Sequence, residues 1–416
     1  MNHTANRRRI CLVVPTNREC AATLAEVVAE AQHATARGDV EVQLLVLDSS
    51  DHFEAHAQAL AGVPGICHLD EAHQRAFLDQ VIHSADVTKP DLLLDLMLPR
   101  GLSYGACTNR AFLIAAALGC TSVHRRDSDL YFQTHAGRKV FPIDVEVAAL
   151  GRPAREVVTT DVQLDEDRRD LPVVMAGASF VGDMSVDLAG IRDHDAYYDL
   201  VSLWAAEGST EAEKRALVEE SFTGGEPFDG DSSLLSVVDP LRVDMHNIAF
   251  HGLHERVPLP PATDTIGSDY FLIHVAHRAG LPAVLHNRHI VNFHTGERKS
   301  DAGFLAYQLR FTKFILSMYY FHFIYQRLSN DDPATIAAIA RASTWQAREP
   351  NERKADQLEQ AYRRLGGRFT TVADAVRERR DPLLVEARRD IDDYAVLIDA
   401  WAELIAAARR TQLRDV

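Results

Sequence analysis

Near the N-terminus the apolar positions fall in short unbroken runs. Ile10 to Val14 is one, giving way to Pro15-Thr16-Asn17-Arg18, and Val42 to Leu47 is another, closed by Asp48-Ser49-Ser50. Between them Leu24, Val27, Val28 and Ala31 recur at helical spacing across Ala21 to Thr35, with Gly38 as the stop. Continuous apolar strands around an amphipathic helix predict a parallel β-α-β unit with a right-handed crossover. Ligands on such sheets bind beyond the carboxyl ends of the strands. Those ends carry Pro15 to Arg18 and Asp48 to Ser50.

The pattern continues with a short strand over Gly65 to Leu69 and a helix over Glu71 to Ser84. Tyr104 and Gly105 open a polar turn, Asn109 and Arg110 stand at the mouth of a helical run from Ala111 to Leu118, and Gly119 ends it. Cys120 to Val123 then reads as a short buried strand leading into Asp127-Ser128-Asp129. A hairpin is expected between Tyr131 and Asp144, turning at His135 to Arg138. Val173 to Val181 reads as one strand, with Gly177 and Gly182 leaving its backbone approachable. Gly224 to Asp231 has loop composition. Asp264 to Asp269 leads into a helix from Tyr270 to Ala279, and Ala283 to Leu285 and His289 to Phe293 are short extended pieces.

The character changes near Ser300. Ala302 to Leu328 predicts a long helix with aromatic residues on several faces, buried either in an intramolecular core or in a dimer seam. Charged amphipathic helices follow over Pro333 to Gln346, Glu352 to Arg364, Val372 to Arg379 and Pro382 to Arg410. The expectation is an α/β domain over residues 1–300, with a mostly parallel sheet flanked by helices, and an α-helical region over 301–416 for packing, a lid or oligomerisation.

Composition narrows the class. A net charge of −16 with no basic stripe argues against nucleic-acid binding. The five cysteines never fall as C-x-x-C, which disfavours zinc and disulfide frameworks and fits thiols in the cytoplasm. Arg7-Arg8-Arg9 precedes an apolar run too short, and too soon broken by Pro15, for a signal peptide. No stretch predicts a membrane span.

The chemistry centres on Asp127 and Asp129. Carboxylates at i and i+2 on an extended segment point the same way and can approach one cation. Hard oxygen ligands suit Mg²⁺ or Mn²⁺. No glycine lies between Pro15 and Cys20, and no G-x-G-x-x-G occurs, which weakens the nucleotidyltransferase and dinucleotide-dehydrogenase readings.

The order of these landmarks, over about residues 8–298, resembles the GT-A glycosyltransferases, enzymes that use nucleotide-sugar donors and usually a divalent metal. Actinobacterial natural-product enzymes of the validoxylamine glucosyltransferase type are a looser likeness. The resemblance implies that Pro15, Thr16, Asn17 and Arg18 touch the nucleotide, and that Asp48 reads its base or ribose. It implies that Tyr104, Asn109, Arg110 and Ser128 border the donor, and that Asp127 and Asp129 form the metal motif with His294 completing the shell. Asp269, in Ser268-Asp269-Tyr270, matches the acidic motif where inverting members keep their base; a helix N-cap is the alternative. Gly177, Asp183, His246 and Asp264 fall where an acceptor would bind, Asp264 being second in line as base. The departure is His124-Arg125-Arg126 in place of apolar residues before the motif: these arginines could hold phosphate or acceptor, or pair with neighbouring acids. The implied activity is transfer of a sugar, by default glucose from UDP-glucose, to a small polar hydroxyl acceptor such as a cyclitol. A nucleotidyltransferase or a non-catalytic nucleotide- or sugar-binding scaffold are the rivals.

Overall fold

The computed structural model describes residues 7–184, 188–221, 223–293, 296 and 300–413. The chain opens with β1 (Arg8–Thr16), α1 (Ala21–Arg37), β2 (Val40–Asp48), α2 (Phe53–Ala59), β3 (Ile66–Leu69), α3 (Glu71–Ser84) and α4 (Pro90–Met97). Next come α5 (Tyr104–Ala117), β4 (Ser122–Arg126), β5 (Leu130–Phe132), the β6 (Thr134–His135) and β7 (Arg138–Lys139) hairpin, and α6 (Ile143–Ala149). The middle holds β8 (Asp161–Gln163), β9 (Met175–Gly177), β10 (Phe180–Gly182), α7 (Asp195–Val201), α8 (Glu211–Glu220), β11 (Ser233–Ser236), β12 (Asn247–His251) and α9 (Leu253–Arg256). It closes with α10 (Phe271–Arg278), β13 (Ala283–His286), β14 (Ile290–Asn292), and the helices α11 (Asp301–Arg327), α12 (Pro333–Ser343), α13 (Glu349–Leu365) and α14 (Phe369–Arg410).

Nine strands form the main sheet in the order β3-β2-β1-β4-β12-β9-β13-β11-β8. Its first four strands run parallel, and β12 enters antiparallel between β4 and β9. The fold is therefore α/β, with a mostly parallel mixed sheet and a helical C-terminal region. Thr16 pairs with Asp48, and β4 continues alongside β1, so the ends of β1, β2 and β4 open on one side. A small second sheet, β10-β14-β5, stands just past the Asp127–Asp129 turn.

Three expectations change. Tyr104 and Gly105 belong to the helix, not to a turn before it: Ser103 is the N-cap, its hydroxyl accepting from Ala106 N–H, and α5 starts at Tyr104. The segment Val173–Val181 is two strands, because Ala178 and Ser179 turn the chain, donating to Asn247 O and His289 Nδ1. Val372–Arg379 and Pro382–Arg410 are one helix, α14, running through Pro382. Proline removes one N–H and crowds the carbonyl four residues back, but buried Val376, Leu383, Leu384 and Ala387 hold both sides of the break.

A large apolar core runs from Cys11 on β1 to Ala408 on α14, joining sheet and C-terminal helices. The aromatic helix α11 is buried inside the chain: Phe271 of α10 meets Phe321 and Tyr325 of α11 and Tyr394 of α14 at centroid distances of 5.0–5.9 Å. Gly105 marks the tightest approach. A Cβ there would sit 1.9 Å from Pro260 O, so α5 can lie on the 258–261 segment only without a side chain at this position. Gly105→Ala is expected to lower stability by about 1–3 kcal/mol through overpacking, read as a drop in urea midpoint. An unchanged midpoint would mean that α5 and this segment separate easily.

Candidate active site

The site is built on a buried ionic cluster. Arg126, the last residue of β4, donates to Glu30 of α1 at 2.8 and 3.0 Å and to Glu146 of α6 at 3.0 Å. His124 Nδ1 lies 2.7 Å from Glu146, and Glu30 also accepts from Ile143 N–H at the start of α6. All four ionisable side chains are buried. Burial pushes the Glu146 carboxyl up, but Arg126 and His124 outweigh it and hold the group at about 2. Arg126 and His124 thus belong to the scaffold, tying α1 and α6 to the strand that ends in Asp127.

Arg125 points to the other side of the sheet. It reaches Asp269 at 2.6 Å and Asp127 at 3.0 Å, while Arg18 donates to Asp129 at 3.1 Å. Asp127, Ser128 and Asp129 form a turn between β4 and β5 and not an extended segment. Both carboxylates nevertheless face the same space. Two cavities, of about 300 Å³ and about 170 Å³, share Tyr104, Asp127 and Asp129 in their walls.

The first cavity lies over the ends of β1, β2 and β4. Pro15, Thr16, Asn17, Arg18, Arg110 and Ser128 line it, with Arg100 and Arg125 adding positive charge. Arg110 is pinned from behind, donating to Gln74 at 2.8 Å and Met97 O at 2.5 Å. Asp48 does not line it. Its carboxylate accepts from Ser50 and is held by His56 at 2.7 Å and His68 at 3.0 Å, so it sets the strand end whose Ser49 faces the cavity. Asn109 is also turned away, in a two-way exchange with the Leu259 backbone.

Asp48, His56 and His68 are a group of metal-capable side chains among the described residues, with ligand atoms within 4.8 Å of one another. His56 Nε2 accepts from Cys20 N–H, which leaves its Nδ1 proton for Asp48. Hydrogen bonds already satisfy the trio.

Asp269 and His246 line the second cavity. Asp269 sits in a 3-10 turn, Ser268–Tyr270, and caps no helix with its side chain. Burial raises its pKa while Arg125 opposes. His246 pairs with Asp244 at 2.5 Å; burial disfavours its charge, but Asp244 lifts it to about 9. Gly177, Asp183 and Asp264 line neither cavity. Gly177 is packed against Val243, and Asp264 is an exposed loop residue with φ 47°. His294 lies outside the described residues. Sequence reasoning missed the aromatic wall of this cavity, Trp204, Tyr307, Phe314 and Tyr325. Three of these come from α11, whose aromatic faces were the available signal.

The chain belongs to the family described as a family of unknown function (DUF6271), whose model matches residues 8–416. No curated protein matches it in sequence. Among solved structures it is similar to the mannosyltransferase PcManGT of Pyrobaculum calidifontis, in complex with GDP-Man and Mn²⁺, at 15% identity over 97% of this chain and 87% of that one, TM-score 0.38. It is similar to glucosyl-3-phosphoglycerate synthase of Mycobacterium tuberculosis at 16% identity over 71% and 75%, TM-score 0.36. It is also similar to S. aureus TarS with UDP-GlcNAc at 11% identity over 94% and 91%, TM-score 0.38.

Within the ionic cluster it is Glu146 that makes stability fall in acid; burial pushes the Glu30 carboxyl up, and its contribution has the opposite sign. Glu146 titrates at about 2 in the fold against an ordinary 4.5, so its contribution is complete above 4.5 and is lost as the pH falls toward 2. The Glu146 contribution to the urea midpoint should fall between about pH 5 and about pH 3. Glu146→Gln should be about 3–5 kcal/mol less stable near neutrality and show a shallower fall. Parallel profiles for the two proteins would exclude Glu146 as the source.

Proposed function

We propose that the chain is a metal-dependent glycosyltransferase. It would move a sugar, with glucose from UDP-glucose as the default, to a hydroxyl of a small polar acceptor such as a cyclitol or sugar-like natural product. The observation that carries this reading is the position of Asp127 and Asp129 where two cavities meet, one basic and one aromatic and acidic. Transfer between two ligands needs two such pockets with shared chemistry at their junction.

In this reading the nucleotide diphosphate lies in the first cavity. Pro15 to Arg18 and Ser49 flank the nucleotide, and Arg100 and Arg110 face the phosphates. Asp127 and Asp129 are hard oxygen donors whose chemistry fits Mg²⁺ or Mn²⁺, with His294 a candidate further ligand. A bound dication would neutralise the leaving diphosphate. Arg125 holds Asp269 by one carboxylate oxygen at the second cavity, where an acceptor hydroxyl would lie. Asp269 would take that hydroxyl's proton as it attacks the anomeric carbon from the face opposite the leaving group, giving inversion. Burial keeps its basicity above that of an ordinary aspartate. Residues 1–300 act as the catalytic unit, and 301–416 close the second cavity through Tyr307, Phe314 and Tyr325. Among the described residues no helix is long and apolar enough to cross a membrane. Five free thiols suit a reducing, cytoplasmic setting.

Two measurements test the proposal. Calorimetry should show UDP binding at least about tenfold tighter with Mn²⁺, with that gain gone in Asp129→Ala; an equal Mn²⁺ effect in the folded variant removes the metal assignment. Asp269→Asn should cut turnover by about 10²–10⁴-fold while donor binding persists, and an α-linked donor should give a β product by NMR. An α product would defeat inversion, and near-normal turnover with a β product would move the base elsewhere.

A further inference from the structure

We infer that the second cavity takes its acceptor by a flat apolar ring, an aryl group whose hydroxyl reaches Asp269. The word acceptor and the hydroxyl's part in a reaction rest on the glycosyltransferase reading; the ring site does not. Of the hydroxyl acceptors open to that reading, the cavity favours a phenol over a cyclitol.

The argument starts from the spacing along α11. Tyr307, Phe314, Met318 and Tyr325 stand at i, i+7, i+11 and i+18. At 3.6 residues per turn, eighteen residues close about five turns, so the four share one stripe of the helix. All four line the second cavity. Large side chains in such a stripe ordinarily pack on a neighbouring element. Here the stripe borders a space that also reaches Asp269.

A glycine brings one of these rings to the acid. Gly267 has φ 72°, and a Cβ there would come within 2.6 Å of the Phe314 ring. Phe314 therefore lies directly on the backbone two residues before Asp269. Trp204 meets Phe314 edge to face at 5.3 Å, and the Trp204 carbonyl is held by His322 of α11 at 2.7 Å. Tyr325 is stacked on His274 at 3.9 Å, which fixes a third ring. The wall is thus braced by contacts of its own.

Phe314, Met318 and Ile266 offer carbon and sulfur to the cavity. An aryl ring gains there by leaving water and by edge-to-face or offset contact with the fixed rings. A ring hydroxylated on both faces must turn hydroxyls toward carbon, and each that gives up water without a new partner costs free energy. The preference is set by the carbon of the wall and not by its charge. In the reaction so read, the phenol oxygen bonds the anomeric carbon as that carbon's bond to the diphosphate oxygen breaks. The phenol proton passes to Asp269.

The experiment uses the full chain with UDP and Mn²⁺ and three hydroxylated rings of one size: phenol, cyclohexanol and myo-inositol. Saturation-transfer NMR titrations should place phenol about threefold or more above cyclohexanol and about tenfold or more above myo-inositol in affinity. Phe314→Leu keeps an apolar side chain and removes the ring. It should lower phenol affinity about threefold or more and leave cyclohexanol within about twofold. Trp204→Ala, at a half-buried position, should lower phenol affinity about fivefold. The inference is overturned if cyclohexanol or myo-inositol binds as well as phenol, or if the folded variants keep the full phenol affinity. UDP–Mn²⁺ binding is measured on the same samples. A phenol preference without nucleotide binding supports the ring site and removes the transferase reading. Nucleotide binding without a phenol preference removes the aryl class and leaves the transferase reading standing.

Discussion

Arg126 is fully buried at the end of β4, and a guanidinium in that place must be answered by carboxylates. Glu30 and Glu146 answer it from two different helices, and His124 shares Oε2 of Glu146 with Arg126. An apolar trio could pack here with similar stability. What the ions add is direction, since each partner must approach at hydrogen-bonding distance and angle. α1, α6 and β4 are thereby fixed relative to one another one residue before Asp127. The D-x-D turn inherits its position from that arrangement, with Phe293 N–H donating to Asp129 O from beyond β14 as a second tether.

The segment from Leu253 to Ser268 depends on the C-terminal helices in the same way. Trp401 donates to His254 O, Tyr394 to Pro258 O, and Ser103 to Pro261 O. Lys313, almost wholly buried on α11, donates to Thr263 O at 2.7 Å and pairs with Asp390 of α14 at 2.8 Å. Gly267 lies against the Phe314 ring, where a Cβ would come within 2.6 Å. Asp269 lies just beyond Ser268. The helical region is thus not an appendage to the sheet: its polar groups serve as the partners for a loop backbone that has no strand to pair with. A hydrophobic core continuous from Cys11 to Ala408 is the apolar counterpart of that clamping.

These dependencies explain what was legible in the sequence. Short-range pattern carried the first half well: β1, α1, β2, β3 and α3 fall where the apolar spacing puts them, and β1 and β2, buried on both faces over most of their length, leave an unbroken signature. Gly38 and Gly280 end their helices in the left-handed conformation expected of them. The errors arose where tertiary contacts override local signals. Pro382 looks like a helix start, and only the neighbouring helices keep α14 continuous across it. Ala178 and Ser179 look like strand, and only Asn247 and His289 turn them. At the site, Asp127 and Asp129 were visible because their spacing is local. Asp48 and Asn109 were visible as polar residues at the right ends of elements, but their partners, His56, His68 and the Leu259 backbone, are distant or aperiodic in the chain. The aromatic cavity wall draws on α11 and on Trp204, a hundred residues or so apart, and no spacing rule joins them.

Arg125 shows why the odd basic run before the D-x-D is compatible with a site of this kind. Alternation along β4 sends Arg126 to the scaffold side and Arg125 to the cavity side, so the two arginines do different work despite being neighbours. Arg125 is itself buried and holds Asp127 and Asp269 at once. Without it, the carboxylates of Asp127 and Asp269 would share this wall with no cation between them. With it, one guanidinium bridges the two carboxylates. The same residue that made the motif look irregular in sequence therefore joins Asp127, which borders both cavities, to Asp269 in the wall of the second.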